Sequence, residues 1–118
     1  MAPAQPVIDA ASQLEEFFAG ARREFSVTLA DAPSTPFQRD VWEALRAIPF
    51  GEVRTYADVA IMVGRPLAAR AVGNANNANP WPVIIPCHRV VAANGIGGYG
   101  GGDEVKRYLL GLEGVRFP

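Results

Sequence analysis

The sequence predicts a mostly helical α+β domain containing a helix-turn-helix, and three observations carry that prediction. Several segments place apolar residues at helical spacing behind capping residues, most clearly TPFQRDVWEAL at 35–45. Two short helical segments meet at a tight turn marked by Gly64. Only FSVTL at 25–29 and VIIPCHRVV at 83–91 read as strand. A chain of 118 residues has the length of one domain with a modest core.

Taken in order, residues 1–8 read as an extended or disordered lead and residues 9–118 as the folded domain. Asp9 or Ser12 can cap a first helix, since Ser12 and Glu15 have capping-box spacing, and Leu14, Phe17 and Phe18 give it an apolar face. Gly20 ends it, FSVTL alternates as a short strand, and Asp31 to Ser34, with Pro33, is a loop. Thr35 then caps a second helix, Pro36 takes its first position and Gln38 completes a capping box. Phe37, Val41, Trp42, Leu45 and Ile48 share one face of it, which reads as core packing, and Gly51 follows its end.

Thr55 and Asp58 bracket the start of the next helix, with Tyr56, Val59, Ala60 and Met62 inward. After Gly64, Arg65-Pro66 opens another helix running through residues 66–77. Its small residues Ala68, Ala69, Ala71, Gly73 and Ala75 let it approach a partner closely, whether a second helix or a nucleic-acid groove. Asn79-Pro80 and Trp81-Pro82 stop it and lead into VIIPCHRVV. NGIGGYGGG at 94–102 is a glycine loop suited to pressing backbone against a planar group or presenting N–H groups to it. It is not a P-loop, because no Lys-Ser or Lys-Thr follows. DEVKRYLLGLEG at 103–114 makes a last helix, with Asp103 at its start, Val105, Tyr108, Leu109 and Leu112 inward, and Glu113 at its end.

Composition narrows the function classes. The net charge of −1 supplies no global attraction to nucleic acid or anionic lipid. Between Val53 and Tyr99, however, Arg54, Arg65, Arg70 and Arg89 are opposed only by Asp58, so a locally basic face can form; a solvated mixed-charge surface is the plainer reading. No run approaches the ~20 apolar residues of a membrane span, and MAPAQPVIDA has no signal-peptide pattern. A lone cysteine forms no intrachain disulfide, so the expected compartment is the cytoplasm, or the nucleus in a eukaryote.

That lone cysteine, Cys87, stands beside the only histidine, His88. Two ligands fall short of a zinc site, so no metal is expected. An inert buried cysteine beside a hydrogen-bonded histidine is an ordinary alternative. The third reading is a nucleophile with its base. On a strand the two side chains point to opposite faces, so a bridging water is a simpler link than a direct bond, although Pro86 makes an irregular backbone plausible. A thiol of pKa ~8.5 gains from such a relay, and the imidazole needs a carboxylate to fix its tautomer. Glu113, Asp103 and Glu104 are the acids available late in the chain, and composition does not choose among them.

IPCHRVV, preceded by RAVGNANNANP and followed by GGYGGG and KRYLLGLEG, closely resembles the catalytic domain of the O6-alkylguanine-DNA alkyltransferases. The resemblance covers residues 8–115, TPFQRDVWEALRAIPFGEVRTYADVA included. It implies a winged-helix-like domain whose helix-turn-helix enters the minor groove of double-stranded DNA carrying O6-alkylguanine, acting as a monomer without a cofactor. It implies that Cys87 takes the alkyl group, that His88 acts on it through a water, and that Glu113 is the acid orienting His88. Tyr56 matches the tyrosine that rotates the nucleotide and donates to guanine N3, and Arg70 the finger that fills the gap in the duplex. Ala69, Gly73 and Asn74 accompany Arg70 on the DNA, and Asn79 matches a hinge between recognition helix and active-site segment. Tyr99, the Gly100 N–H, Lys106 and the carbonyls of Cys87 and Val90 match the guanine pocket. Some members have serine where Gly100 stands, so a hydroxyl contact there is lost and a backbone contact survives. The family usually has an additional N-terminal α/β domain, of which only a linking helix and short strand correspond here.

One alternative lies within the resemblance and two come from other classes. An alkyltransferase-like lesion binder would replace the cysteine, commonly with tryptophan, and this chain keeps Cys87. A winged-helix regulator with a merely buried cysteine leaves IPCHRV, GGYGGG and Glu113 unexplained. A cysteine hydrolase would need an oxyanion hole that no motif announces.

Overall fold

The computed structural model describes residues 5–29 and 32–117, which fall into two compact units, 1–33 and 34–118. The first four residues of the expected lead, and Asp31 of the expected loop, lie outside the described residues.

In the first unit, helix α1 spans Gln5–Phe18. It starts a turn before the expected Asp9 or Ser12, so residues 5–8 are helix and not extended lead. Pro6 in its first turn lacks only an N–H that has no intrahelical acceptor there. FSVTL forms no strand, because its alternation meets no partner ladder among the described residues. The side chain of Gln13 replaces one: its Oε1 accepts from the Ser26 N–H and its Nε2 donates to Ser26 Oγ, both at 3.0 Å. Phe17 packs against Phe18 and Phe25, ring centroids 5.6 Å apart in each pair.

The second unit carries the expected helices on a minimal sheet. Helix α2 (Pro36–Arg46) begins with the full capping box of Thr35 and Gln38. Strand β1 (Arg54–Thr55) runs into helix α3 (Tyr56–Met62), whose box joins Thr55 to Asp58. After a turn comes helix α4 (Ala69–Asn77), then a 3-10 turn at Cys87–Arg89, strand β2 (Val90–Val91) and helix α5 (Asp103–Leu112). The two strands pair in parallel, Arg54 opposite Val90 and Thr55 opposite Val91. Val41, Leu45, Ile48, Val59, Ala60, Val72, Val90 and Leu110 form the sealed core. Trp42 Nε1 donates to the Ala75 carbonyl at 2.8 Å, tying α2 to α4.

Four expectations need correction. Helix α4 starts at Ala69, since Pro66 and Leu67 are spent on a turn that leaves Leu67 fully exposed. Met62 is not inward: as the last residue of α3 it is 45% exposed, beyond the buried Val59 and Ala60. On α5, Val105, Tyr108 and Leu112 face solvent; the buried face is Lys106, Leu109, Leu110 and, at its cap, Glu113. Apolar spacing misplaced that face because two charged side chains, bonded inside, occupy half of it. VIIPCHRVV is not a continuous strand either. Val83 turns at φ +73°, Cys87–Arg89 coil as 3-10, and only Val90 and Val91 join a ladder.

Candidate active site and nucleic-acid face

The 3-10 turn removes the alternation that a strand would impose on Cys87 and His88. Successive side chains diverge by about 120° in such a turn. It is anchored by the Cys87 N–H on the Ile85 carbonyl (2.7 Å) and the Arg89 N–H on Pro86 (3.0 Å). From it His88 turns fully inward, to the end of α5. Its Nε2 lies 2.7 Å from Glu113 Oε2. Glu113 also accepts from the Gly51 N–H at 2.9 Å and from Arg89 Nε and Nη2 at 2.9–3.1 Å, while Arg89 Nη1 donates to the Ile48 carbonyl at 2.7 Å. Gly51 can come this close because it sits at φ +82°, where a Cβ would stand 3.3 Å from the Glu113 carbonyl.

Protonation follows from these contacts. Burial pushes the Glu113 carboxyl up, but the hydrogen bonds from His88, Arg89 and Gly51 outweigh it and hold the group at about 2. Burial pulls His88 below its ordinary value against the opposing pull of Glu113, so the ring is neutral at pH 7. An ionised carboxylate only accepts, so Nε2 carries the proton and Nδ1 keeps a lone pair. That Nδ1 is buried and has no hydrogen-bond partner among the described residues. Burial pushes the Cys87 thiol up, with contacts to Asn79 and Tyr99 and the charge of Lys106 pulling partly back. A thiol at neutral pH therefore stands next in sequence to a neutral imidazole with a free acceptor.

The rest of the pocket comes from α3, α5 and the glycine loop. Tyr56 opens α3 directly behind its cap, and a Cβ on Gly97 would stand 3.0 Å from its Oη and 3.2 Å from its ring carbon Cε2. The expected packing of glycine backbone on a planar group is thus realised at Gly97, itself at φ +77°. Tyr56 Oη donates weakly to the Gly98 carbonyl at 3.4 Å, and burial keeps the phenol protonated by raising its pKa. Lys106 is wholly buried, donating to the Val90 carbonyl at 2.6 Å and the Gly98 carbonyl at 3.0 Å, and burial lowers it to about 8. Burial, then the neighbouring Cys87, raises the Tyr99 phenol.

Cys87, Tyr56, Val90, Tyr99 and Lys106 thus converge, while His88, next in the chain, turns inward to Glu113. Asn79 lies at the foot of α4, donating to the Ile85 carbonyl at 2.8 Å and accepting from the Trp81 N–H at 2.9 Å. Gly100 is exposed on the loop, with nothing within 4 Å of where a Cβ would be. On α4, Arg70 and Asn74 face solvent and Ala69 and Gly73 are half-buried, so these four sit apart from the buried Val72, Ala75 and Asn76. Arg89 leaves the expected basic face altogether, because it is buried on Glu113.

Three contributors escaped the sequence reading. Asn76, one turn before Asn79, donates to the Cys87 carbonyl at 3.3 Å; its own spacing was the available signal. Arg89 carried a signal in its adjacency to His88, and Trp42 carried none beyond its place in an apolar stripe.

This arrangement has relatives. Residues 36–115 match the family described as 6-O-methylguanine DNA methyltransferase, DNA binding domain. The chain belongs to that family. It is 52% identical over 107 residues to a methylated-DNA–protein-cysteine methyltransferase of Methanosarcina acetivorans, covering 90% of this chain and 68% of the relative. To the constitutive enzyme of that name in Bacillus subtilis it is 49% identical over 111 residues, 92% of this chain and 67% of the relative. The crystal structure of Mycobacterium tuberculosis OGT in complex with DNA superposes with a TM-score of 0.86 at 52% identity, covering 90% of this chain and 65% of that one. The chain therefore spans about two thirds of the length of these relatives. No helix among its described residues is long and apolar enough to cross a membrane.

Proposed function

We propose that the protein repairs O6-alkylguanine in double-stranded DNA by moving the alkyl group irreversibly to Cys87. The carrying observation is the neutral His88 with its Nε2–H committed to Glu113 and its Nδ1 unengaged beside the thiol's turn. In this reading α3 and α4 act as a helix-turn-helix entering the minor groove, with Ala69, Gly73 and Asn74 against the backbone. Extruding the base costs a few kcal/mol of stacking, and Arg70 offsets part of it by filling the gap. Only a helix with little bulk around its arginine reaches that deep.

The extruded guanine meets the backbone of Gly100, the ring of Tyr99 and the carbonyls of Cys87 and Val90. His88 Nδ1 takes the thiol proton through a water, the thiolate forms a sulfur–carbon bond, and the carbon–O6 bond breaks. The departing guanine gains its proton at N3 from Tyr56, whose phenol stays protonated until then. Lys106 keeps the Gly98 carbonyl satisfied when Tyr56 leaves it, and Asn79 holds α4 to the reacting segment. The thiol is the acceptor, so no cofactor enters and each copy reacts once, as a monomer, in the cytoplasm. All of these residues lie in 34–118.

Titrating a duplex containing O6-methylguanine with the protein tests this. Repaired DNA should rise linearly and stop at one equivalent. Complete repair by much less than one equivalent of protein would indicate a turning-over enzyme, and tight binding without repair a lesion binder.

A further inference from the structure

We propose that Arg89 is a positioning residue for the proton path: it neutralises the Glu113 carboxylate, so that His88 stays uncharged and can accept the proton of Cys87. The inference rests on the reading of His88 as the base. It starts from a chemical difficulty. A buried carboxylate 2.7 Å from an imidazole ordinarily draws a proton onto the ring, giving an imidazolium–carboxylate pair. An imidazolium has no lone pair and accepts nothing.

The structure answers the difficulty with a second cation on the same carboxylate. Arg89 Nε meets Glu113 Oε1 and Oε2 at 2.9 and 3.1 Å, and Nη2 meets Oε2 at 3.0 Å. With His88 Nε2 and the Gly51 N–H added, the lone pairs of the carboxylate are filled. The fork cannot swing away, because Nη1 is tied to the Ile48 carbonyl at 2.7 Å and the side chain is buried. Guanidinium keeps its charge at any working pH, so the compensation is permanent. The charged groups facing His88 are Glu113 from the end of α5, Arg89 from its own turn and Lys106 from the middle of α5. Both cations act against an imidazolium, and Arg89 acts through the carboxylate itself.

Because His88 is the only histidine, its ring can be followed without assignment by nitrogen-15 NMR. At pH 7 the wild-type ring should be neutral, protonated at Nε2 and bare at Nδ1. In Arg89→Met the titration midpoint should move up by about one pH unit or more. Methyl transfer by that variant at pH 7 should fall severalfold, in step with the neutral fraction of the ring, and recover as pH rises through the new midpoint. Arg89→Lys, which keeps the charge, should return most of the midpoint. A folded Arg89→Met whose midpoint stays at or below the wild-type value overturns the proposal. So does a wild-type ring that is imidazolium at pH 7, which decides the matter even where the variant does not fold. A wild type that transfers no methyl would end the reading of His88 as base and leave the titration result standing.

Discussion

At Glu113 burial and hydrogen bonding oppose each other, and the hydrogen bonds win. The sign for stability follows. The folded group sits at about 2 against 4.5 unfolded, so its contribution is complete above pH 4.5 and is lost as pH falls from 4.5 towards 2. The loss is about 3 kcal/mol, and urea unfolding across that window should show it in the wild type and not in Glu113→Gln. The same variant should slow methyl transfer by about 10²–10⁴-fold at pH 7, measured in single turnover, since its amide can turn an NH2 donor towards His88 and select the wrong tautomer. Cys87 and His88 were legible from adjacency and uniqueness, whereas Glu113 was one acid of three until the resemblance chose it. Arg89 was misread because a charged side chain in a sequence looks like surface until its partner, distant along the chain, is placed.

Elements were most legible where local chemistry specifies them. The boxes Thr35–Gln38 and Thr55–Asp58 bond within a few residues, so both helix starts were predictable. FSVTL and the inner face of α5 depend on what packs against them, which periodicity does not contain. The glycine loop yields a paired prediction. Gly97→Ala puts a Cβ 3.0 Å from Tyr56 Oη and from the Ala92 nitrogen at φ +77°, and should cost about 1–3 kcal/mol while slowing transfer by displacing Tyr56. Gly100→Ala meets nothing within 4 Å and should leave stability within about 0.5 kcal/mol. Thermal unfolding and single-turnover rates on both variants check the contrast. Thr55→Ala should cost about 1 kcal/mol by the same assay, because it removes the cap that positions Tyr56.

At the scale of the molecule, one face of the small-residue helix α4 is open to solvent while the thiol of Cys87 is buried. The chain's net charge of −1 makes general attraction to DNA weak, so local groups on α4 must carry the encounter. Arg70→Ala should therefore slow transfer from duplex about tenfold or more, by losing compensation for an unstacked base. It should matter much less on a single strand carrying the same lesion, where no stacked gap needs filling. The central claim is that Cys87 itself receives the alkyl group. The most direct measurement is the mass of the Cys87 peptide after incubation with duplex O6-methylguanine, in wild type and in Cys87→Ser. The account predicts a gain of one methyl group on that peptide in the wild type alone, matched by unmodified guanine in the DNA. A wild-type peptide of unchanged mass beside repaired DNA, or a methyl group found on another residue, would contradict it.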